Sequence, residues 1–314
     1  MSSIKLNLYC DEIKETSFQS NLWGNEQWAY LGFLIVPTND EEKLVSHLLQ
    51  KRCGNPNKLT IWNECPLLCD YHTKNNKEVH YHRSDSADVF HIADRWMDFM
   101  LNDLSHTYFY ILGLNLKHLD YSSFGKATPS ERFQRIYNRF FRMAILKSVK
   151  SYFYKCDHII INSITHDDSS MKNSNYFPWH SIFKIDSTDP KINFLCNEIE
   201  FISSDHRISK TPRSHLIQYI DLILGSTFNA LHWASENKNK TLLALKMSKL
   251  LQRLMNAPNN INSRYGYVGK KSIDFFPKHN FCSLDEWEKN LLRKDSFYKK
   301  RGLRVNEYFQ PGLF

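Results

Sequence analysis

The sequence lacks any uncharged run close to the roughly 20 residues that a membrane-spanning helix requires. Its most apolar segment, residues 216–224, contains Asp221. The N-terminus also lacks the long apolar centre of a signal peptide, because residues 1–11 alternate apolar and polar side chains and then reach Glu12. These absences predict a soluble, cytoplasmic protein that has no membrane partner.

The sequence also shows no internal repeat and no disulfide framework. Its seven cysteines, an odd number scattered over 314 residues, suit a reducing cytosol. The 42% of hydrophobic residues is enough for one large domain or for a domain with an appendage. Lys and Arg number 41 against 33 Asp and Glu, so the formal charge of +8 favours an anionic partner such as nucleic acid.

Hydrophobic periodicity predicts an opening hairpin followed by alternating helices and strands. The predicted strands cover residues 4–10, 29–36, 107–116, 158–161 and, as an edge strand, 198–202. The predicted helices cover about residues 40–50, 85–104, 131–152, 213–234 and 242–254. This order indicates an α/β fold with a mixed β-sheet flanked by helices. Residues 1–235 are predicted to form one domain, and residues 236–314 a basic, helical or irregular C-terminal extension packed on it.

One predicted helix, over residues 213–227, is apolar nearly all round except for a polar stripe. Ser214, Gln218, Asp221 and Gly225 are three or four positions apart, so they share one helix face. A carboxylate on an otherwise buried helix costs several kcal/mol without compensation, so Asp221 needs a cation or hydrogen-bond donors. A structural salt bridge and a functional site explain this stripe equally well.

A second acidic feature follows the first predicted strand. Alternation places Asp11 on the same face as Asn7 and Tyr9, and the end of a core strand is a rigid mount for a catalytic group. Taken alone, the pair Asp11 and Glu12 is more often a solvated turn.

The strand that ends at Asp11 and Glu12 resembles the opening of a bacterial family of domains of unknown function, numbered three thousand eight hundred. Members of that family look like ribonuclease H-type nucleases. That family opens with a strand ending Tyr-x-Asp-Glu-Ser-Gly. Tyr9, Asp11 and Glu12 match this motif, whereas Ile13 and Lys14 replace its last two residues. The likeness spans roughly residues 4–232.

Two further motifs carry the resemblance. The family closes its core with a helix that reads Gln-x-x-Asp followed by small residues, which Gln218, Asp221 and Gly225 match. Between the two ends it carries a Glu-x-His element, which Glu78 and His80 match. The resemblance rests on the order and spacing of these short motifs.

The resemblance implies a ribonuclease H-like domain that hydrolyses phosphodiester bonds of nucleic acid with a pair of Mg²⁺ or Mn²⁺ ions. Hard carboxylate oxygens suit these cations, and two ions about 4 Å apart can activate water and stabilise a leaving oxygen. The implied catalytic residues and metal ligands are Asp11, Glu78 and Asp221. The secondary candidates are Glu12, His80, Asn162, His166, Asp167 and Gln218.

One departure from the family concerns the fourth metal ligand. In relatives the strand that corresponds to residues 158–161 often ends in an acid, whereas here Asn162 follows, and Asp167 or Asp168 comes only later. An asparagine carbonyl coordinates metal without adding charge, so either the site is weaker or Asp167 folds back to it. For His80 and His166 we expect surface histidines rather than catalytic ones.

Two classes of function stay open. The first is a nuclease, with RNA favoured slightly over DNA and a defence or toxin context. The alternative is a catalytically inert module of the same fold that binds nucleic acid or protein. Basic residues with interleaved aromatics favour nucleic-acid contact, although a charge run is more often a solvated face. The predicted contact residues are Lys246, Lys249, Arg253, Lys299, Lys300 and Arg301. The oligomeric state also stays open, a homodimer included.

Two other metal hypotheses are weaker. Cysteines and histidines with loose zinc spacing occur at Cys53, Cys65, Cys69, His72, His80 and His82. Small core cysteines are favoured over a structural Zn²⁺, since no second clean pair completes the set. The dipeptide His166-Asp167 suggests a helical metal phosphohydrolase, but the predicted strands before it argue against an all-helical fold.

Overall fold

A computed structural model shows a seven-stranded mixed sheet with helices on both faces. It describes residues 2–20, 24–52, 78–102, 106–125, 128–168, 182–185, 189–235, 237–256 and 270–277. The strands are β1 (Ser3–Ser20), β2 (Gly24–Pro37), β3 (Tyr108–Asn115), β4 (His158–Asp167), β5 (Ile192–Phe194), β6 (Glu200–Ile202) and β7 (Lys271–Phe276). The helices are α1 (Glu41–Arg52), α2 (Ala87–Asn102), α3 (Pro129–Phe153), α4 (His206–Ser209), α5 (Ser214–His232) and α6 (Lys238–Asn256).

The strand order is β5-β4-β1-β2-β3-β7, and β6 pairs with the end of β4. Strands β1, β2 and β3 are antiparallel neighbours, whereas β4 runs parallel to β1 and β7 parallel to β3. Both faces of the central strands are apolar, as a sheet covered on both sides requires. The predicted mixed α/β sheet flanked by helices is therefore confirmed.

The opening hairpin is longer than the apolar pattern predicts. Strand β1 continues past Cys10 to Ser20, and β2 begins at Gly24 rather than at Ala29. The polar residues in between still pair across the hairpin, from Thr16 opposite Trp28 to Ser20 opposite Gly24. The prediction was wrong here because the backbone pairing continues beyond the end of the apolar pattern.

Alternation along β1 divides the core between the two faces of the sheet. Tyr9 packs with α1, α2, α5 and α6 on one face. Its neighbours Leu8 and Cys10 pack with α3 on the other. Odd-numbered residues near Tyr9 therefore face α5.

Helix α3 starts with a capping box, in which the Thr128 hydroxyl accepts from the Glu131 N–H and the Glu131 carboxylate accepts from the Thr128 N–H.

Strand β4 does not end at Asn162, as the sequence predicts, but continues to Asp167. Asn162 is the extra residue of a β-bulge, since Leu6 pairs with Ile161 and Asn7 with Ser163. The Asn162 amide donates to the Asn7 side chain at 2.9 Å. The bulge interrupts the apolar alternation, and that interruption is why the pattern suggested an early strand end.

Two described elements that follow residue 235 pack against the rest of the domain. Helix α6 packs on α5 and α2, and β7 extends the sheet beside β3. Strand β7 departs from the expectation of helical or irregular structure in this region. Within the described ranges, no helix has the length and apolarity needed to cross a membrane.

We expect Gly113→Ala to destabilise the protein, because β3 and β7 meet there beneath two aromatic rings. A Cβ at this position would lie 2.7 Å from Tyr30 Cε1 and 2.9 Å from Phe275 Cδ1. Overpacking of this kind costs about 1–3 kcal/mol of unfolding free energy, measurable by urea denaturation. In a Phe275→Ala background the cost should shrink, since one ring is gone. An equal cost in both backgrounds would show that β7 does not pack there.

Candidate active site

A cleft of about 610 Å³ opens where β1 and β4 stop pairing, and helix α5 lines it from Asp221 to Asn229. Five acidic residues and two lysines line it, together with His80, His82 and Tyr81. The acidic residues are Asp11, Glu12, Asp167, Asp168 and Asp221, and the lysines are Lys14 and Lys240. Negative charge therefore dominates the described lining.

Three of these carboxylates come from three different elements. Cys10 of β1 pairs with His166 of β4, so the next residues, Asp11 and Asp167, lie side by side at the cleft. Asp221 comes down from α5 on the same face of the sheet. Its carboxyl group lies close enough to that of Asp11 for the two groups to influence each other's pKa. The fold thus brings together acids that are up to 210 positions apart in the sequence.

The bulge at Asn162 turns Asp167 toward the cleft. Before the bulge, the odd-numbered Ile159 and Ile161 face α3, whereas after it the even-numbered Ile164 takes that face. The extra residue shifts the side-chain alternation by one, so Asp167 points away from α3 and toward the cleft. Asn162 itself lies in mid-strand and does not line the cleft.

A backbone N–H holds one oxygen of each of the three carboxylates. The Glu12 N–H donates to Asp11 Oδ1 at 2.8 Å. The Ser204 N–H donates to Asp167 Oδ1 at 3.0 Å, and the Tyr81 N–H donates to Asp221 Oδ2 at 2.6 Å. These bonds fix the orientation of each carboxylate and leave its second oxygen for another partner.

Burial and mutual repulsion raise the pKa of this cluster. Desolvation raises the pKa of Asp11 well above its ordinary value, and the nearby charges of Asp221, Glu12 and Asp167 raise it further. Desolvation also raises the pKa of Asp221 and of Asp167. The ionised cluster is therefore costly unless a cation joins it.

His80 stands beside the cluster. Its Nε2 lies 3.6 Å from Asp221 Oδ1, and its Nδ1 accepts the N–H of His82 at 3.1 Å. Because Nδ1 is an acceptor, the proton of the neutral ring is on Nε2 and faces the carboxylate. Tyr81 packs against Gly225, where any Cβ would overlap the tyrosine ring. Glycine at this position therefore keeps the segment that carries His80 close to α5.

Glu78 lies behind the cleft rather than in its described lining. Its Oε1 accepts from Ser204 Oγ at 2.6 Å, and its Oε2 lies 3.1 Å from Arg83 Nη1. Both oxygens therefore have partners. The resemblance implies a metal ligand at Glu78, but the structure places Asp167 beside Asp11 and Asp221 instead.

Gln218 is buried one turn before Asp221 and holds two segments of the site together. Its Oε1 accepts from the Val79 N–H at 3.1 Å and from Arg52 Nη2 at 2.9 Å. Its Nε2 donates to the Ser204 carbonyl at 2.5 Å. Since these two segments also supply N–H groups to the aspartates, Gln218 positions the cluster without entering the cleft.

His166 and Glu12 form a separate buried group on the α3 side of the sheet. His166 Nε2 lies 2.8 Å from Glu12 Oε2 and 3.0 Å from the Tyr137 hydroxyl. Burial lowers the pKa of His166, but the Glu12 carboxylate outweighs burial and raises it above the ordinary value. The expectation of a surface histidine was wrong for His166, which is fully buried. The sequence named His166 only as a secondary candidate and gave no sign of its contact with Tyr137, which lies 29 positions away.

The chemistry of the three aspartates fits hard divalent cations, since each offers carboxylate oxygen. As the side chains stand, the described residues contain no group of three or more His, Cys, Asp or Glu that could hold a metal ion. The three side chains would therefore have to shift to share a cation.

Other predicted positions have different outcomes. Lys246 pairs with Asp94 at 2.5 Å and with Asp98 at 2.7 Å, so its charge is already compensated. Lys249 is exposed on α6, which also contains Arg253. Several predicted site residues lie outside the described part of the chain, namely the basic residues Lys299, Lys300 and Arg301 and the zinc candidates Cys53, Cys65, Cys69 and His72.

We expect the metal-free protein to lose stability as the pH rises. An aspartate with a raised native pKa makes the folded state bind more protons than the unfolded chain, so the free energy of unfolding falls with pH. The fall starts near the unfolded value of about 3.9 and continues to the raised native pKa values of Asp11 and Asp221.

Asp221→Asn should remove part of the pH-dependent fall in the free energy of unfolding, while keeping an acceptor for the Tyr81 N–H. Urea denaturation without divalent metal should find the variant more stable than the unsubstituted protein at about pH 8, with the difference shrinking toward about pH 4. If the variant is less stable at both pH values, the carboxylates are not in electrostatic conflict.

No family model matches the chain, and no curated protein matches it. The likeness carried by the short motifs stays a resemblance, and the function has to follow from the chemistry of the site itself.

Proposed function

We propose that the protein is a metal-dependent nuclease of ribonuclease H-like fold. One observation carries the proposal: Asp11, Asp167 and Asp221 meet in an open cleft, and none of them pairs with a lysine or arginine among the described residues. Such a cluster lacks positive charge, and a divalent cation is the partner that carboxylate oxygens select. The mixed sheet flanked by helices agrees with the fold that the resemblance implies.

Asp11, Asp167 and Asp221 would hold the metal, because their second oxygens are the acceptors left at the cleft. A bound pair of Mg²⁺ or Mn²⁺ ions would activate water and neutralise charge on a phosphodiester during in-line displacement. The backbone N–H groups of Glu12, Tyr81 and Ser204 keep the three carboxylates in place.

The rim of the cleft suits a phosphodiester. Lys14 and Lys240 line it, and Lys240 Nζ lies 5.7 Å from the centre of the Tyr81 ring. These lysines attract the phosphates that flank the scissile bond. His80 presents its Nε2–H beside Asp221, where it can donate a hydrogen bond to a phosphate oxygen. RNA remains favoured slightly over DNA on the grounds of the resemblance alone.

The retained carboxylates favour catalysis over the alternative of an inert binding module. Three mutually repelling aspartates destabilise the protein, and asparagine at any of these positions would fill the same space without that cost. Conflict of this kind is typical of functional sites, where strain is tolerated for activity.

We expect cleavage of labelled RNA or DNA with Mg²⁺ or Mn²⁺, and its loss with EDTA. Asp11→Asn, Asp167→Asn and Asp221→Asn should each lower the rate by about a hundredfold or more, because a metal ligand and its charge are lost. Gel assays with single- and double-stranded panels of both nucleic acids measure this.

Asp157→Asn is the matched control. Asp157 is exposed and precedes β4, at the opposite end of the same β1–β4 pair, where it accepts the Ser2 N–H. It should retain full activity. Equal cleavage by the control and by all three cleft variants would point to a contaminating nuclease and refute the proposal.

A further inference from the structure

A second charged surface lies on the face of the sheet opposite the cleft. Helix α3 carries six basic residues and one acidic residue, Glu131, which its own N-cap uses. Two of the basic residues are neutralised, since Lys147 pairs with Asp274 and Lys150 with Asp189. The arginines in the middle of the helix are different.

Three arginines line one outer stripe of α3. Arg135, Arg139 and Arg142 are four and three positions apart, so they share a helix face and span about 10 Å. Arg139 and Arg142 pair with no carboxylate in the described part of the chain. The Arg139 guanidinium is held over the Phe124 ring at 5.4 Å. The stripe is therefore positively charged and partly fixed in orientation.

The stripe borders a groove of about 510 Å³. Besides the three arginines, Asn138, Met143 and Leu146 line it. No acidic side chain contributes to its described lining. The Asn138 side-chain oxygen is buried and has no hydrogen-bond donor within the described residues. The groove thus combines guanidinium walls, an apolar floor and one buried acceptor.

We propose that this groove binds single-stranded nucleic acid. The guanidinium groups match the phosphates of a strand, whose spacing fits three contacts along about 10 Å. An unpaired base can lie on Met143 and Leu146 beside the arginine planes and donate to Asn138, which a base inside a duplex cannot do. The site binds substrate away from the cleft, so its occupation does not depend on cleavage.

The test measures binding of a labelled single-stranded 20-mer by fluorescence anisotropy in EDTA, over a series of salt concentrations. Arg139→Gln/Arg142→Gln should weaken binding at least about tenfold at low salt. It should also lower the slope of log K against log salt by about 1.4, since each phosphate on a single strand contributes about 0.7. Asn138→Ala should weaken binding without changing the slope.

A charge-matched control is Lys5→Gln/Lys43→Gln, which removes two exposed lysines outside α3. It should leave affinity and slope near those of the unsubstituted chain, and circular dichroism should show all variants folded. An unchanged slope in the arginine variant, or an equal change in the control, would overturn the proposal. Equal dependence of duplex binding on the two arginines would overturn its restriction to single strands. EDTA prevents cleavage, so a negative result in the nuclease assay does not affect this test.

Discussion

Electrostatic repulsion among Asp11, Asp167 and Asp221 is the constraint on which the rest of the site depends. Three carboxylates that share one cleft lose hydration and repel one another, and both effects favour protonation. In the structure one backbone N–H donates to each carboxylate. These contacts hold the cluster together, but they do not neutralise it.

The surrounding fold is built so that this cluster forms in one geometry. The parallel pairing of β1 with β4 places Asp11 beside Asp167, and the bulge at Asn162 turns Asp167 to the correct face. Buried Gln218 then joins α5 to the segments that supply the N–H groups. Because the strand pairing, the bulge and the Gln218 contacts come from different parts of the chain, the site requires the complete fold.

Strong periodicity made much of the fold predictable. The elements that carry Asp11 and Asp221 have clear apolar patterns, so both acids could be nominated from the sequence alone. Asp167 could be only a secondary candidate, since a one-residue bulge reverses the face of β4 and leaves no signal in composition. The Glu-x-His motif suggested Glu78, but local pairing decides where its carboxylate lies. Backbone pairing within the hairpin holds its polar end, and pairing with β3, remote in sequence, holds β7; periodicity reveals neither.

Calorimetric titration of the metal-free protein with Mn²⁺ tests most directly whether the three aspartates share a cation. We predict saturable binding accompanied by proton release, seen as a dependence of the heat on the buffer, because a cation favours the ionised forms of Asp11 and Asp221, whose pKa values are raised. Asp221→Asn should weaken binding at least about tenfold, and Asp157→Asn should not. Equal affinity in all three proteins, with no proton release, would contradict a shared metal site.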